Sequence, residues 1–119
     1  MSVANQVDNL AAIAAGDQVT RATGSGAIST TITITRPSKI LSIMLHLSSA
    51  SATAENFQVA INSDTGSAYD AVLIKQDMNT LADFFTNTAI YLSPGDDLVF
   101  TYANTDARTF GLEVVWGDA

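Results

Sequence analysis

Three groups of side chains carry the chemistry this sequence could perform. Asp96 and Asp97 stand together in Ser93-Pro94-Gly95-Asp96-Asp97, where two carboxylates could hold calcium or share acid/base work. Calcium takes several hard oxygen ligands, usually from more than one loop. Neighbouring residues of a strand point to opposite faces, which keeps an adjacent pair from acting as a dyad. The pair reads as a turn entering a strand, with one Asp accepting from backbone N–H groups. Asn62, Asp64 and Thr65 before Gly66 form the second group. They look like the opening of a calcium loop, yet the later bidentate Glu is missing, and a hairpin turn is the better reading. The third is His46, the single histidine, with no neighbouring Ser or Cys in sequence that suggests a triad. It reads as a strand histidine, partly exposed or hydrogen-bonded, while spatial partners stay open.

The aromatic residues offer binding rather than catalysis. They are Phe57, Tyr69, Phe84, Phe85, Tyr91, Phe100, Tyr102, Phe110 and Trp116. Most fall at alternating positions, the pattern of a β core. Tyr69 beside Asp70 and Tyr102 beside Asn104 are the candidates for exposed rings that would stack on a sugar.

Composition narrows the classes further. The chain has 119 residues, 5 Lys+Arg against 12 Asp+Glu, a net charge of −7 and no cysteine. That length suits one domain, and 47% hydrophobic residues suffice for a core. Without cysteine there is no disulfide scaffold, thiolate nucleophile or Cys-based zinc site. Few basic residues in an acidic chain argue against a nucleic-acid partner, since phosphate binding needs clustered Lys and Arg. Only 14% of residues are charged, against about 25% in ordinary soluble domains. A surface rich in Ser, Thr, Asn and Ala suits broad contact with other protein, where desolvating charge would be costly. No cofactor or metal is expected, and the chain is expected not to be an enzyme.

The elements that would position these residues are strands. Residues 27–36 alternate Ile28, Ile32 and Ile34 with Thr31, Thr33 and Thr35, a period of two built from β-branched residues. Pro37 ends that run. Residues 39–49 place Leu41, Ile43, Leu45 and Leu47 on one face, opposite Ile40, Ser42, Met44 and His46. Phe57, Val59 and Ile61 alternate next, then residues 62–67 supply turn-forming types. Further strands are expected near 69–76 and over 84–92. The segment 77–83 reads as a loop or one helical turn. Leu98, Phe100 and Tyr102 alternate after the Pro-Gly-Asp-Asp turn, and Phe110, Leu112, Val114 and Trp116 close the chain. With a weaker strand at 18–23, about eight strands are predicted at sandwich spacing. The expected fold is therefore an all-β antiparallel sandwich over residues 17–119.

Residues 1–16 stand apart. They lack the basic start and long apolar core of a secretory signal, and fall short of the roughly 20 apolar residues of a membrane span. A soluble product made in the cytoplasm is expected, with no membrane contact. Val3, Val7, Leu10 and Ile13, at spacings of 4, 3 and 3, form either a short helical stripe or an extended arm that orders against a neighbour. These four are the candidate partner-binding residues.

The segment Ile90-Tyr-Leu-Ser-Pro-Gly-Asp-Asp-Leu-Val-Phe-Thr-Tyr102, followed by Phe110-Gly-Leu-Glu-Val-Val-Trp116, resembles the closing strands of small jelly-roll domains. With an N-terminal arm and Thr- and Ser-rich strands, the whole chain resembles small tailed-phage virion proteins, in particular capsid decoration (cement) proteins. The resemblance implies a jelly roll, a homotrimer bridging major capsid proteins on the virion, and an arm reaching an adjacent subunit. It brings no catalytic residues. The alternative is a carbohydrate-binding or receptor-binding β-sandwich, with Tyr69 or Tyr102 against sugar and calcium near Asp64 or Asp96.

Overall fold

A computed structural model describes residues 17–119. Among the described residues there are nine strands: β1 (Gln18–Gly24), β2 (Ile28–Thr33), β3 (Ser38–Leu47), β4 (Asn56–Asn62), β5 (Ala71–Asp77), β6 (Asp83–Thr86), β7 (Ile90–Leu92), β8 (Asp97–Tyr102) and β9 (Phe110–Asp118). They form two antiparallel sheets. One runs β1-β9-β3, with β6 and β7 both paired to the far edge of β3, and the other runs β2-β8-β4-β5. Consecutive strands mostly change sheet, so their inner faces close on each other. This is the strand order of an eight-stranded jelly roll whose sixth strand is broken in two.

That break accounts for the strand expected over 84–92. β6 pairs with residues 43–46 of β3, and β7 with residues 38–40. The intervening residues 87–89 stand opposite an irregularity in β3 itself. Ile40 faces Trp116 while Ser42 faces Val115, which leaves Leu41 as an extra residue. A bulge of this kind reverses the inside–outside alternation. The expected face of Leu41, Ile43, Leu45 and Leu47 is corrected accordingly: Ile40 is fully buried with Ile43, Leu45 and Leu47, and Leu41 is only partly covered.

The start of β5 is also displaced. Tyr69 belongs to a one-turn 3-10 segment, Ser67–Tyr69, and the strand begins at Ala71. Leu73 is a second bulge, since Val59 pairs with Ile74 but Ala60 with Val72.

Between the sheets lies one apolar layer. Ile28, Ile32, Phe57, Val59, Leu98 and Phe100 face Ile40, Ile43, Leu45, Leu112 and Val114 across it. Each fully buried aliphatic or aromatic side chain is worth about 1.5–3 kcal/mol. The Phe57 and Phe84 rings meet with centroids 5.8 Å apart at 60°, a tilted arrangement that suits their quadrupoles.

Candidate functional site

The polar residues singled out by type do structural work. Asp96 is buried, and its carboxylate accepts from the backbone N–H groups of Ser93 (2.9 Å) and Asp64 (3.0 Å). It thus ties the turn before β8 to the turn after β4. Gly95 beside it has φ +92°, and a Cβ there would lie 2.6 Å from Asp64 Cγ. Asp97 begins β8 in register with Thr33 and Asn62. The two carboxylates therefore act separately, and the turn reading of this motif holds. Asn62 ends β4, and Asp64 and Thr65 lie on exposed turn positions. Among the described residues no three His, Asp or Glu side chains gather closely enough to hold a metal ion.

The opposite end of the sandwich is closed by three residues that the sequence reading did not single out. Asp106 accepts from Ala52 N (2.8 Å), Thr53 Oγ1 (3.0 Å) and Ser51 Oγ (3.1 Å). Those donors hold its carboxyl below the usual range, the Ala52 N–H first and the Thr53 hydroxyl next. Glu55 accepts from both the backbone N–H and the hydroxyl of Thr105. Asn104 is buried at φ +51°; its Nδ2 donates to the carbonyls of Gly26 and Arg108, and its Oδ1 accepts from Arg108 N. Nothing local in sequence marks the Asp106 and Glu55 contacts, whose partners lie 50 to 55 residues away, while Asn104 joins Gly26, 78 residues back, to Arg108 four residues on.

The aromatic candidates divide. Tyr102 is corrected: it is 2% exposed, because its position on β8 shares the inward row with Leu98 and Phe100. Its hydroxyl is buried and has no hydrogen-bond partner among the described residues. Phe110 is buried, and Trp116 packs on the core with Nε1 donating to Thr20 Oγ1 at 3.0 Å. Tyr69, Phe85 and Tyr91 are 65%, 64% and 69% exposed.

Phe85 and Tyr91 share a surface, the outer face of the β1-β9-β3-β6/β7 sheet. Cross-strand register sets its rows. One holds Arg21, Glu113, Met44 and Phe85; the next holds Thr23, Gly111, His46 and Asp83; Tyr91 pairs with Lys39 beside Gly117. Val19 and Val115 lie side by side between these rows. Arg21 Nε bonds Glu113 Oε2 at 2.8 Å, and His46 Nδ1 lies 2.5 Å from Asp83 Oδ1. A shallow groove of about 260 Å³, flanked by Arg21, Thr23, Met44 and Glu113, passes over Gly111. A Cβ at Gly111 would meet nothing within 4 Å, so the space above the strand is open. His46 thus has a carboxylate partner in Asp83 and belongs to a polar rim beside an apolar strip.

The outer face of the other sheet differs. Ser29, Thr101, Gln58 and Lys75 make one of its rows and Thr33, Asp97 and Asn62 another, with Val99, Ala60 and Val72 between them and Leu73 exposed at the β5 bulge. Val3, Val7, Leu10 and Ile13, the candidate partner-binding residues, lie outside the described residues.

No protein-family model matches this chain, and no curated protein matches it. Among solved structures, the Drosophila NLP-core, whose crystal structure concerns pentamer formation and histone binding, aligns over 87% of this chain and 99% of its own. The identity is 8% and the TM-score 0.49.

Proposed function

We propose that this protein is a non-enzymatic structural component of a phage particle, a decoration protein that binds and stabilises the outer surface of a capsid as a homo-oligomer, a trimer by the resemblance of its sequence. The observation that carries the reading is the outer face of the β1-β9-β3-β6/β7 sheet. It offers Met44, Phe85 and Tyr91 to a partner; Arg21 is paired with Glu113 and His46 is hydrogen-bonded to Asp83, with Lys39 beside Tyr91 as a further charge on the face. A surface of that kind loses little charge solvation on contact with other protein. Many identical copies on a shell would then add modest contacts into a large combined effect. The major capsid protein is the proposed partner, and residues 1–16 supply a second contact through Val3, Val7, Leu10 and Ile13.

Particles reconstituted with and without the protein test this. Wild-type chain should co-sediment with shells, and a chain lacking residues 2–15 should fold but fail to occupy them. Full occupancy after that deletion would remove the arm from the proposal, and no binding of the intact chain to any shell would remove the proposal. The alternative, a carbohydrate-binding or receptor-binding module, loses Tyr102 to the core but keeps the exposed Tyr69 in the turn before Asp70. Glycan binding abolished by Tyr69→Ala would favour it over the capsid reading.

A further inference from the structure

Each sheet has two edges among the described residues, and three of the four are blunted. β5 carries Lys75, Asp77 and the bulge at Leu73; the β6/β7 edge is broken in two and begins at Asp83; β1 carries Arg21 at its centre. Charges, bulges and breaks of this kind keep strand edges from pairing with other chains. β2 has none of them. Ile28-Ser-Thr-Thr-Ile-Thr33 holds no charge, no Pro and no Gly, and it keeps unbroken register with β8. Ile34, one residue further, donates its N–H to the Asp96 carbonyl at 2.9 Å. In an antiparallel ladder such bonds recur at every second residue, so the N–H and C=O groups of Ile28, Thr30 and Ile32 face β8. Those of Ser29, Thr31 and Thr33 point outward, where among the described residues no strand meets them.

We infer that β2 is a self-association edge, on which a second copy of this chain adds its own β2 antiparallel about a two-fold axis at Thr31. The strand is complementary to its own reversal. Ser29 stands opposite Thr33 of the second copy and Thr31 opposite Thr31, so the outward groups meet one another in about six main-chain hydrogen bonds. Their exposed hydroxyl side chains form facing pairs of a favourable type. On the inner face Ile28 meets Ile34 of the second copy and Thr30 meets Ile32, which carries the apolar row across the junction. Charge permits the approach although each chain is −7. Asp97, beside Thr33, is the one charge on the neighbouring β8. Its two copies lie about 20 Å apart in this register, well beyond the roughly 8 Å over which exposed charges interact. A contact of one short strand a side is small, so the dimer is reversible and fills at high protein concentration. The inference goes beyond the capsid reading: it concerns the free protein, leaves the outer face of the other sheet open, and is independent of the copy number on a shell.

Sedimentation equilibrium and residue-resolved hydrogen exchange, on the full chain from about 10 μM to about 1 mM, test this. The expected result is a monomer–dimer equilibrium in which the amides of Ser29, Thr31 and Thr33 become protected as the dimer fills. Thr31→Pro removes an N–H that β8 does not use, and the fold should survive, since edge strands accept Pro where the N–H faces solvent. It should weaken the dimer about 30-fold or more, one hydrogen bond being lost from each copy. Thr31→Lys sets two like charges against each other at the axis and should weaken the dimer at low salt, with partial recovery at high salt. Thr65→Lys, the same charge change on the exposed turn after β4, should leave it intact. A monomer throughout, a trimer in solution, or a dimer that either Thr31 variant leaves intact would overturn the inference. So would protection of the three amides that is already complete in the monomer, which would give the edge to the same chain. Shell binding is read by co-sedimentation, so loss of the dimer and loss of the capsid reading are separate results.

Discussion

Replacing Asn104 with Ala isolates the link that closes one end of the sandwich. Asn104 is 4% exposed, and its amide makes three hydrogen bonds, two to the carbonyls of Gly26 and Arg108 and one from Arg108 N. Alanine leaves those three backbone groups without this partner at about 1 kcal/mol each. The residue also stands at φ +51°, where Asn is tolerated and Ala costs about 1 kcal/mol more. The combined loss is about 4 kcal/mol, a large part of the roughly 5–15 kcal/mol that holds a domain folded. Urea denaturation should show the midpoint falling at constant slope, and the melting temperature should drop by about 15 °C. Asn104→Gly separates the two causes. It loses the hydrogen bonds but accepts the positive φ, and should be about 1 kcal/mol less damaging than Ala. An Ala variant within about 1 kcal/mol of the parent would refute the reasoning, as would a Gly variant worse than Ala.

Three further outcomes follow from the same structure. Tyr102→Phe removes a buried hydroxyl that has no partner among the described residues, so chemical denaturation should find the variant as stable as the parent or up to about 1 kcal/mol more stable; a clear loss would show that the hydroxyl is satisfied. Ile40→Ala should cost about 3 kcal/mol and Leu41→Ala under about 1, because the bulge turns Ile40 inward; the reverse order would place the bulge elsewhere. Asp106 has a folded pKa below its unfolded value, so its stabilisation is fully present above the ordinary carboxylate range and is lost as pH falls through the folded value. The difference in urea midpoint between parent and Asp106→Asn should therefore be constant near neutral pH and close below about pH 4, where a gap that widened instead would contradict the assignment.

The β character of this chain is written in its local pattern. Ile28 and Ile32, Leu98 and Phe100, and Leu112 and Val114 alternate at a period of two, and each of these residues is buried where the alternation places it. Turn chemistry was legible too. Pro94-Gly95-Asp96 predicts a tight turn with a carboxylate capping backbone N–H groups, and Asp96 does this at 2.9 and 3.0 Å. Such features depend on a few neighbouring residues, whose φ/ψ and side-chain reach are set by covalent geometry.

What the local pattern left open depends on which strand lies next to which. Leu41 and Ile40 exchange roles because β3 must keep register with β9 through a bulge, and neither residue type signals that choice. Tyr102 looks like a ring beside a turn, but β8 carries it to the inner face, while Phe85, next to the inward Phe84, is turned to solvent. Asp106 finds its donors at Ser51, Ala52 and Thr53 only after β3 and β8 end at the same edge of the sandwich. The apolar outer face has the same origin. Met44, Phe85, Val115 and Val19 are scattered through the sequence as unremarkable strand residues, and cross-strand register alone gathers them into one surface. Side-chain type and alternation determine that strands form and which residues favour the interior. Pairing between distant strands determines the neighbours, and surfaces for binding are made of neighbours.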